Sequence, residues 1–257
     1  MITLVLAGLV TGFLVGLTGT GGGALLTPVL VLIFRVHTMT AIGSDLVASF
    51  LMKPFGGIVH ARHKTVRKDL VILLVLGTVP GAIIGVLALV HLGHGRAPYL
   101  LNPFLGGALL LTTCATFLRG TAKSSRIARL FEGQSKENKR KVLTVLLGLI
   151  GGGLVGFTSV GSGSIMVAGI MFLYPELTMA ELVGTDLIAA IPLLGVAAVG
   201  HLIAGDVRFS ISVPLLVGAI PGVVSGAILS ARGTRSEQVR FGLTLVLLAS
   251  GLRLIFS

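Results

Sequence analysis

Gly12 to Pro28 reads G-F-L-V-G-L-T-G-T-G-G-G-A-L-L-T-P, inside an apolar segment that runs from Ile2 to Phe34 with Arg35 as its first charge. Six of these residues are glycine (12, 16, 19, 21, 22 and 23). Each glycine costs a helix about 1 kcal/mol relative to alanine, so the spacing predicts an interrupted helix. In hydrocarbon an interrupted backbone survives only where protein buries it or where it lines a polar cavity. A second copy lies 140 residues on, from Gly152 to Ala168, as G-G-L-V-G-F-T-S-V-G-S-G-S-I-M-V-A. The two breaks organise the reading of the rest of the chain.

The mean hydropathy is +1.02. With 54% apolar and only 11% charged residues, a soluble domain of this size could not clothe its surface. The chain reads as a multi-pass membrane protein surrounded by lipid. Its net charge of +11 does not point to nucleic acid, because Lys and Arg sit in short blocks between apolar segments, as positive-inside topology requires. The single cysteine, Cys114, can form no intrachain disulfide. The N-terminus lacks a basic n-region, and its apolar run is too long for a cleaved signal.

Apolar segments fall at about 2–34, 39–59, 70–90, 98–118, 142–174, 178–200, 210–230 and 239–256. Most approach the ~20 residues a spanning helix needs. The two that hold the breaks have 33 residues each, too many for one straight span. Arg119 to Lys141 is the longest polar stretch, with eight Lys/Arg and two Glu. It divides the chain into a first repeat (1–118), a basic cytoplasmic connector (119–141) and a second repeat (142–257).

The halves are related by more than glycine. At an offset of 140, Leu14, Val15, Gly16, Thr18, Gly21 and Gly23 match Leu154, Val155, Gly156, Thr158, Gly161 and Gly163. At 141, Gly43, Asp45, Leu46 and His60 match Gly184, Asp186, Leu187 and His201, and Arg67, Gly77, Pro80, Gly81 and Gly85 match Arg208, Gly218, Pro221, Gly222 and Gly226. Equivalent loops differ in charge: Arg62, Lys64, Arg67 and Lys68 answer to Arg208 alone, whereas Arg96 alone answers to Arg232, Arg235 and Arg240. That alternation favours repeats of inverted topology. Inversion needs an odd number of crossings per half, which follows if each long segment is a hairpin of two short helices meeting at the glycines. The fold expected is therefore all-α and polytopic, with two inverted repeats, each a glycine-broken first hairpin followed by three spanning helices.

With the broken segments, the duplication and the pair G-S-D-L (43–46) and G-T-D-L (184–187), the sequence resembles the sulfite exporter TauE/SafE family. The likeness covers nearly the whole chain. It rests on the G-x-x-x-G-x-x-x-x-G-x-G core of each half, the small-polar-rich second helix and the P-G-x-x-x-G of the third. One departure is that S-V-G-S-G-S stands in the second break where G-T-G-G-G-A stands in the first, and Ala168 where Pro28 stands. The halves need not contribute equally. The resemblance implies transport of an anion such as sulfite or a sulfonate across a prokaryotic cytoplasmic (inner) membrane.

Read from the residues, half-helices meeting at membrane depth offer free backbone N–H groups and the positive end of a helix dipole. Glycine lets these form a nest for an anion. Thr18, Thr20, Gly21, Gly22 and Gly23 of the first break are thus candidate substrate ligands, with Thr158, Ser159, Gly161, Ser162, Gly163 and Ser164 of the second. The alternative for such glycines is close helix packing, and Gly8, Gly12 and Gly16, four apart, suit that role. Lys53, with Leu194 as its counterpart, either draws an anion inward or snorkels to the basic loop. Asp45 and Asp186 either carry a coupling proton or cap their helices. His60 and His201, at the ends of equivalent segments, read as interface residues that titrate near neutrality.

No cofactor is called for. The remaining histidines (37, 63, 91 and 94) have no carboxylate or thiol cluster beside them, so a metal site is not supported. G-T-G-G-G-A fits a dinucleotide loop only in part and lacks the βαβ context. Around Ser162 the G-x-S-G of an intramembrane protease lacks its first glycine. No G-x-x-x-x-G-K-[ST] motif occurs, which leaves an ion gradient or the anion's own gradient as the driving force, with protons the candidate coupling ion. A passive channel with the same nest is the competing reading. A homodimer is left open.

Overall fold

The computed structural model describes residues 1–121, 134–232 and 237–255, and over these the chain is α-helical with no strand. Its helices are α1 (Ile2–Thr18), α2 (Gly22–Pro28), α3 (Thr38–Arg62), α4 (Lys68–Thr121), α5 (Gln134–Thr158), α6 (Ser164–Leu173), α7 (Met179–Ile203), α8 (Phe209–Ala231) and α9 (Glu237–Ile255). A π-helical turn, Val29–Ile33, extends α2. Pro28 explains it: a proline inside a helix cannot donate the usual bond, and the turn widens around the gap.

Among the described residues, five helical stretches are long and apolar enough to cross a membrane: Thr38–Arg62, Lys68–His91, Glu137–Thr158, Met179–Ile203 and Phe209–Ala231. Shorter apolar helices cover Ile2–Thr18, Gly22–Ile33, Leu101–Cys114, Ser164–Leu173 and Thr244–Leu254. Ile72, Leu76, Ile83, Leu87 and Val90 stay exposed along α4, the outer face such a helix turns to lipid. The sequence separates a third and a fourth segment around Arg96, but the backbone is helical from Lys68 through Thr121. No positive φ is found among the described residues between Lys64 and Ser159, so the local glycines do not end the helix there. Of the expected connector (119–141), residues 122–133 lie outside the described residues, and the remainder from Gln134 onward already belongs to α5.

Both long segments break where the glycines predict. α1 ends on Gly19 in the left-handed region (φ 65°), whose N–H bonds Val15 O. Gly21, at φ 83°, turns the chain into α2. In the second copy Ser159 (φ 64°) and Gly161 (φ 112°) hold the matching positions, and the Ser159 N–H bonds Val155 O. After each break the chain doubles back. Arg140 meets Glu176, Thr144 meets Tyr174, Gly169 faces Leu147 and Gly151 faces Met166, so α5 and α6 run antiparallel. In the first copy Gly22 faces Ser49 and Met52, Thr27 bonds Asp45, and Leu30 clusters with Ala41. α2 therefore runs against α3.

Glycine stripes fix the remaining packing. Gly8, Gly12 and Gly16 of α1 lie on the backbone of Leu215, Ala219 and Val223 of α8, and Gly148, Gly152 and Gly156 of α5 lie on Leu74, Thr78 and Ala82 of α4. Ascending order on both partners means that each pair is parallel. α3 and α7 cross antiparallel at the centre, with Gly57 on Ile188, Gly184 on His60 and Gly195 on Phe50. Reciprocal bonds tie their ends to the following loops: Arg67 N–H donates to Thr185 Oγ1 and Arg208 N–H to Ser44 Oγ, each at 3.1 Å. Association of helices in lipid depends on van der Waals contact rather than solvent exclusion, and small residues permit the closest approach.

A methyl group at Gly152 would run into the Thr78 backbone, whereas one at Gly107 meets nothing within 4 Å. Gly152→Ala should therefore lower the thermal unfolding temperature of the detergent-solubilised protein. Gly107→Ala should leave it unchanged or raise stability by up to about 1 kcal/mol through helix propensity.

Candidate functional site

The two breaks touch backbone to backbone. A Cβ on Gly23 would strike Ser159 O, and one on Gly163 would strike the Gly19–Gly21 strand of chain. Ser164 joins them twice, its N–H donating to Thr20 O at 3.1 Å and its hydroxyl to the same oxygen at 3.0 Å. The Thr18 and Thr158 hydroxyls are spent on the final turns of their helices, donating to Leu14 O and Leu154 O at 2.6 and 2.7 Å. Thr18 also bonds Thr20 Oγ1. Gly23 and Gly163 thus sit where a side chain would part the two breaks. Gly21 lies against Ser162 and Gly22 against Ser49, Met52 and Asp45, while Gly161 has only side chains near it.

Around this junction lie three fully buried charges. Asp45 and Asp186 each occupy the third turn of a 25-residue helix, α3 or α7. Neither caps its helix; the α7 cap is Thr178, in a capping box with Glu181. Asp45 is held by hydroxyls. Oδ2 accepts from Thr27 at 3.0 Å and from Ser159 in a very short bond, and Oδ1 accepts from Ser49 at 3.1 Å. Ser49 follows at i+4, a spacing legible in the sequence, whereas Thr27 and Ser159 arrive through the fold. Ser159 pays about 1 kcal/mol to be left-handed, at the position where its counterpart is Gly19, and its hydroxyl reaches Asp45.

Lys53 does not snorkel: it is 0% exposed. Its Nζ lies 3.6 Å from Asp186 Oδ2 and 3.4 Å from Ser162 Oγ. The cation of one half is thereby delivered to the carboxylate and the break of the other. Beside it a small cavity opens between α4, α6 and α7. Thr78, Ser162 and Asp186 supply its polar wall, and Leu74, Met166 and Leu193 its apolar one.

The histidines sit at helix ends but are enclosed by protein, at 0% and 1% exposure. His60 Nδ1 is 2.8 Å from Thr65 Oγ1. His201 Nε2–H donates to Gly156 O at 3.1 Å, and Nδ1 faces Asp206 Oδ2 at 3.4 Å. Their neighbours are matched as the repeat pairs them, Thr65 standing for Asp206.

Ionisable groups are costly in a bilayer and commonly mark pathways, so buried, mutually paired charges beside broken helices suit a membrane transporter better than a structural bundle. The comparisons agree. The family model for the sulfite exporter TauE/SafE matches residues 4–254. The "Probable membrane transporter protein YjnA" of Bacillus subtilis (strain 168) is 36% identical over 256 residues, covering 99% of each chain. The "Probable membrane transporter protein YdhB" of the same organism is 27% identical over 230 residues, covering 87% of this chain and 88% of the relative. No solved structure matches. The chain belongs to the sulfite exporter TauE/SafE family.

The buried pair sets two expectations. Breaking it from one side leaves an uncompensated charge, so Lys53→Met or Asp186→Asn alone should each cost about 3–5 kcal/mol. The double variant Lys53→Met/Asp186→Asn should recover much of that loss in thermal unfolding. At Ser159, Gly relieves the left-handed backbone while Ala keeps the strain, and both lose the bond to Asp45. Ser159→Gly should unfold at a higher temperature than Ser159→Ala.

Proposed function

We propose that this protein is a secondary permease, not an enzyme, that moves a small sulfur-containing or organic anion across the prokaryotic cytoplasmic membrane, driven by a gradient. The observation that carries the reading is Lys53, fully buried at mid-helix and set between Asp186 and a serine of the second break. A cation held this way neutralises an arriving anion without being exposed to water. Its existing partner is a carboxylate that can take back the charge when the anion leaves. Asp45 and Asp186 are the titratable groups through which a proton could couple to that cycle. They carry no cap role that would account for them otherwise.

Inverted repeats of 1–118 and 142–257 are the architecture of this reading, with 119–141 as the basic cytoplasmic connector. Three observations support it. The equivalent helices α3 and α7 are antiparallel, which a two-fold axis along the membrane normal could not produce and one in the membrane plane does. The first helix of each half packs parallel to a helix of the other, α1 on α8 and α5 on α4. Loop charges alternate between the halves. Secondary transporters built this way hold substrate near the membrane midplane, beside such paired interruptions. A channel with the same lining would need no titratable pair, and a homodimer in the bilayer is compatible with either.

Proteoliposomes test the function. Sulfite or methanesulfonate flux should depend on Lys53, and Lys53→Met should abolish it. If the pair carries the coupling proton, Asp45→Asn or Asp186→Asn should uncouple flux from a pH gradient while sparing anion exchange. Flux that needs Lys53 yet moves no protons in the wild type would make the protein a channel. No flux of any anion would end the transporter mechanism proposed. Topology is checked by cysteine labelling of intact cells in a Cys114→Ser background: single cysteines at His63 and Gly205 should label from opposite sides. The same side for both rules out inversion.

A further inference from the structure

Both halves carry a buried aspartate beside a break, but the space next to it differs. On the Asp45 side the protein fills its own site: Ser49, Thr27 and Ser159 all donate to the carboxylate. On the Asp186 side the counterpart of Ser49 is Ala190, that of Gly22 is Ser162 and that of Ala219 is Thr78. Small and hydroxyl-bearing residues have changed places, and a cavity lies there. Thr78 is 2% exposed, and its hydroxyl has no hydrogen-bond partner. That is unusual for threonine within a helix, whose hydroxyl ordinarily bonds the carbonyl one turn back. An unsatisfied buried hydroxyl costs roughly what a lost hydrogen bond costs. It lines the same cavity as Ser162, the serine that Lys53 contacts.

Resting on the permease reading, we infer that the anion sits to one side of the molecule, in the cavity between α4, α6 and α7, and that Thr78 is a substrate-contacting residue. The interval between the two breaks is not available to it, because Gly163 lies directly on Gly19–Gly21 and Gly23 on Ser159. In the cavity, one anion oxygen accepts from Thr78 Oγ1 and another from Ser162 Oγ, while Lys53 supplies the opposing charge. Asp186 is then the group the anion competes with for Lys53. Leu74 and Met166 present an apolar wall to the rest of the ligand. The first break and Asp45 form the fixed half of the junction.

Threonine and valine are nearly isosteric, so Thr78→Val removes the hydroxyl and little else. Calorimetric titration of the purified full chain with sulfite and with methanesulfonate, beside thermal unfolding, separates the outcomes. Thr78→Val should unfold at the same temperature as the wild type or higher, because no bond inside the protein is lost, yet bind at least about tenfold more weakly, the loss of a hydrogen bond to a charged group. Thr78→Ser should bind within about threefold of the wild type, since its hydroxyl remains. Wild-type affinity in Thr78→Val overturns the assignment, as does a fall in its unfolding temperature with binding per folded molecule intact. If the wild type binds and Lys53→Met does not, the permease reading stands whichever way Thr78→Val falls. If the wild type binds neither probe, the assignment is overturned together with the anion site on which it rests.

Discussion

Two interrupted helices complete one another at the centre of this protein, and the rest of the fold holds them there. A helix broken in hydrocarbon exposes N–H and C=O groups that no water can satisfy. Here Ser164 donates twice to the Thr20 carbonyl, and the Ser159 hydroxyl reaches Asp45. Each break thus supplies groups that the other half of the molecule needs. The contact is tight enough that Gly23 and Gly163 admit no side chain without displacing backbone.

Everything outside the junction can be understood as the means of placing it. Glycine stripes let α1 lie on α8 and α5 on α4 at backbone distance, which carries each hairpin to the centre. α3 and α7 cross antiparallel behind the breaks and project Asp45, Lys53 and Asp186 into them. The exchange of partners between halves, α1 with α8 and α5 with α4, means that the first helix of each hairpin is packed by the opposite half, so the halves are expected to fold as one cooperative unit rather than as two independent domains.

Beside the two breaks the chemistry is unequal. Asp45 is surrounded by hydroxyls. Asp186 faces a cation that only one half of the sequence encodes, since Leu194 stands opposite Lys53. Charge-assisted contacts in a low-dielectric interior are strong and costly to break. A single such pair beside a cavity concentrates the electrostatic consequences of ligand binding at one point.

Much of this was legible in the residues. Glycine spacing placed the breaks within Gly12–Pro28 and Gly152–Ala168, because backbone conformation at positive φ is a local property. Duplication, written in Asp, His and Pro as well as Gly, gave the correspondence between Asp45 and Asp186. Other features depended on contacts between segments far apart in the chain. Lys53 could have snorkelled or turned inward, and only the crossing of α3 with α7 put Asp186 in reach of its Nζ. The glycines of the breaks could have formed an open nest, and only the docking of one break on the other set Gly23 and Gly163 against backbone. Thr78 gave no signal at all: a threonine in an apolar segment is ordinary, and what sets it apart is a missing partner. Sequence determines which residues can bend or carry charge; the distances between segments, set by packing in three dimensions, decide which of those charges meet.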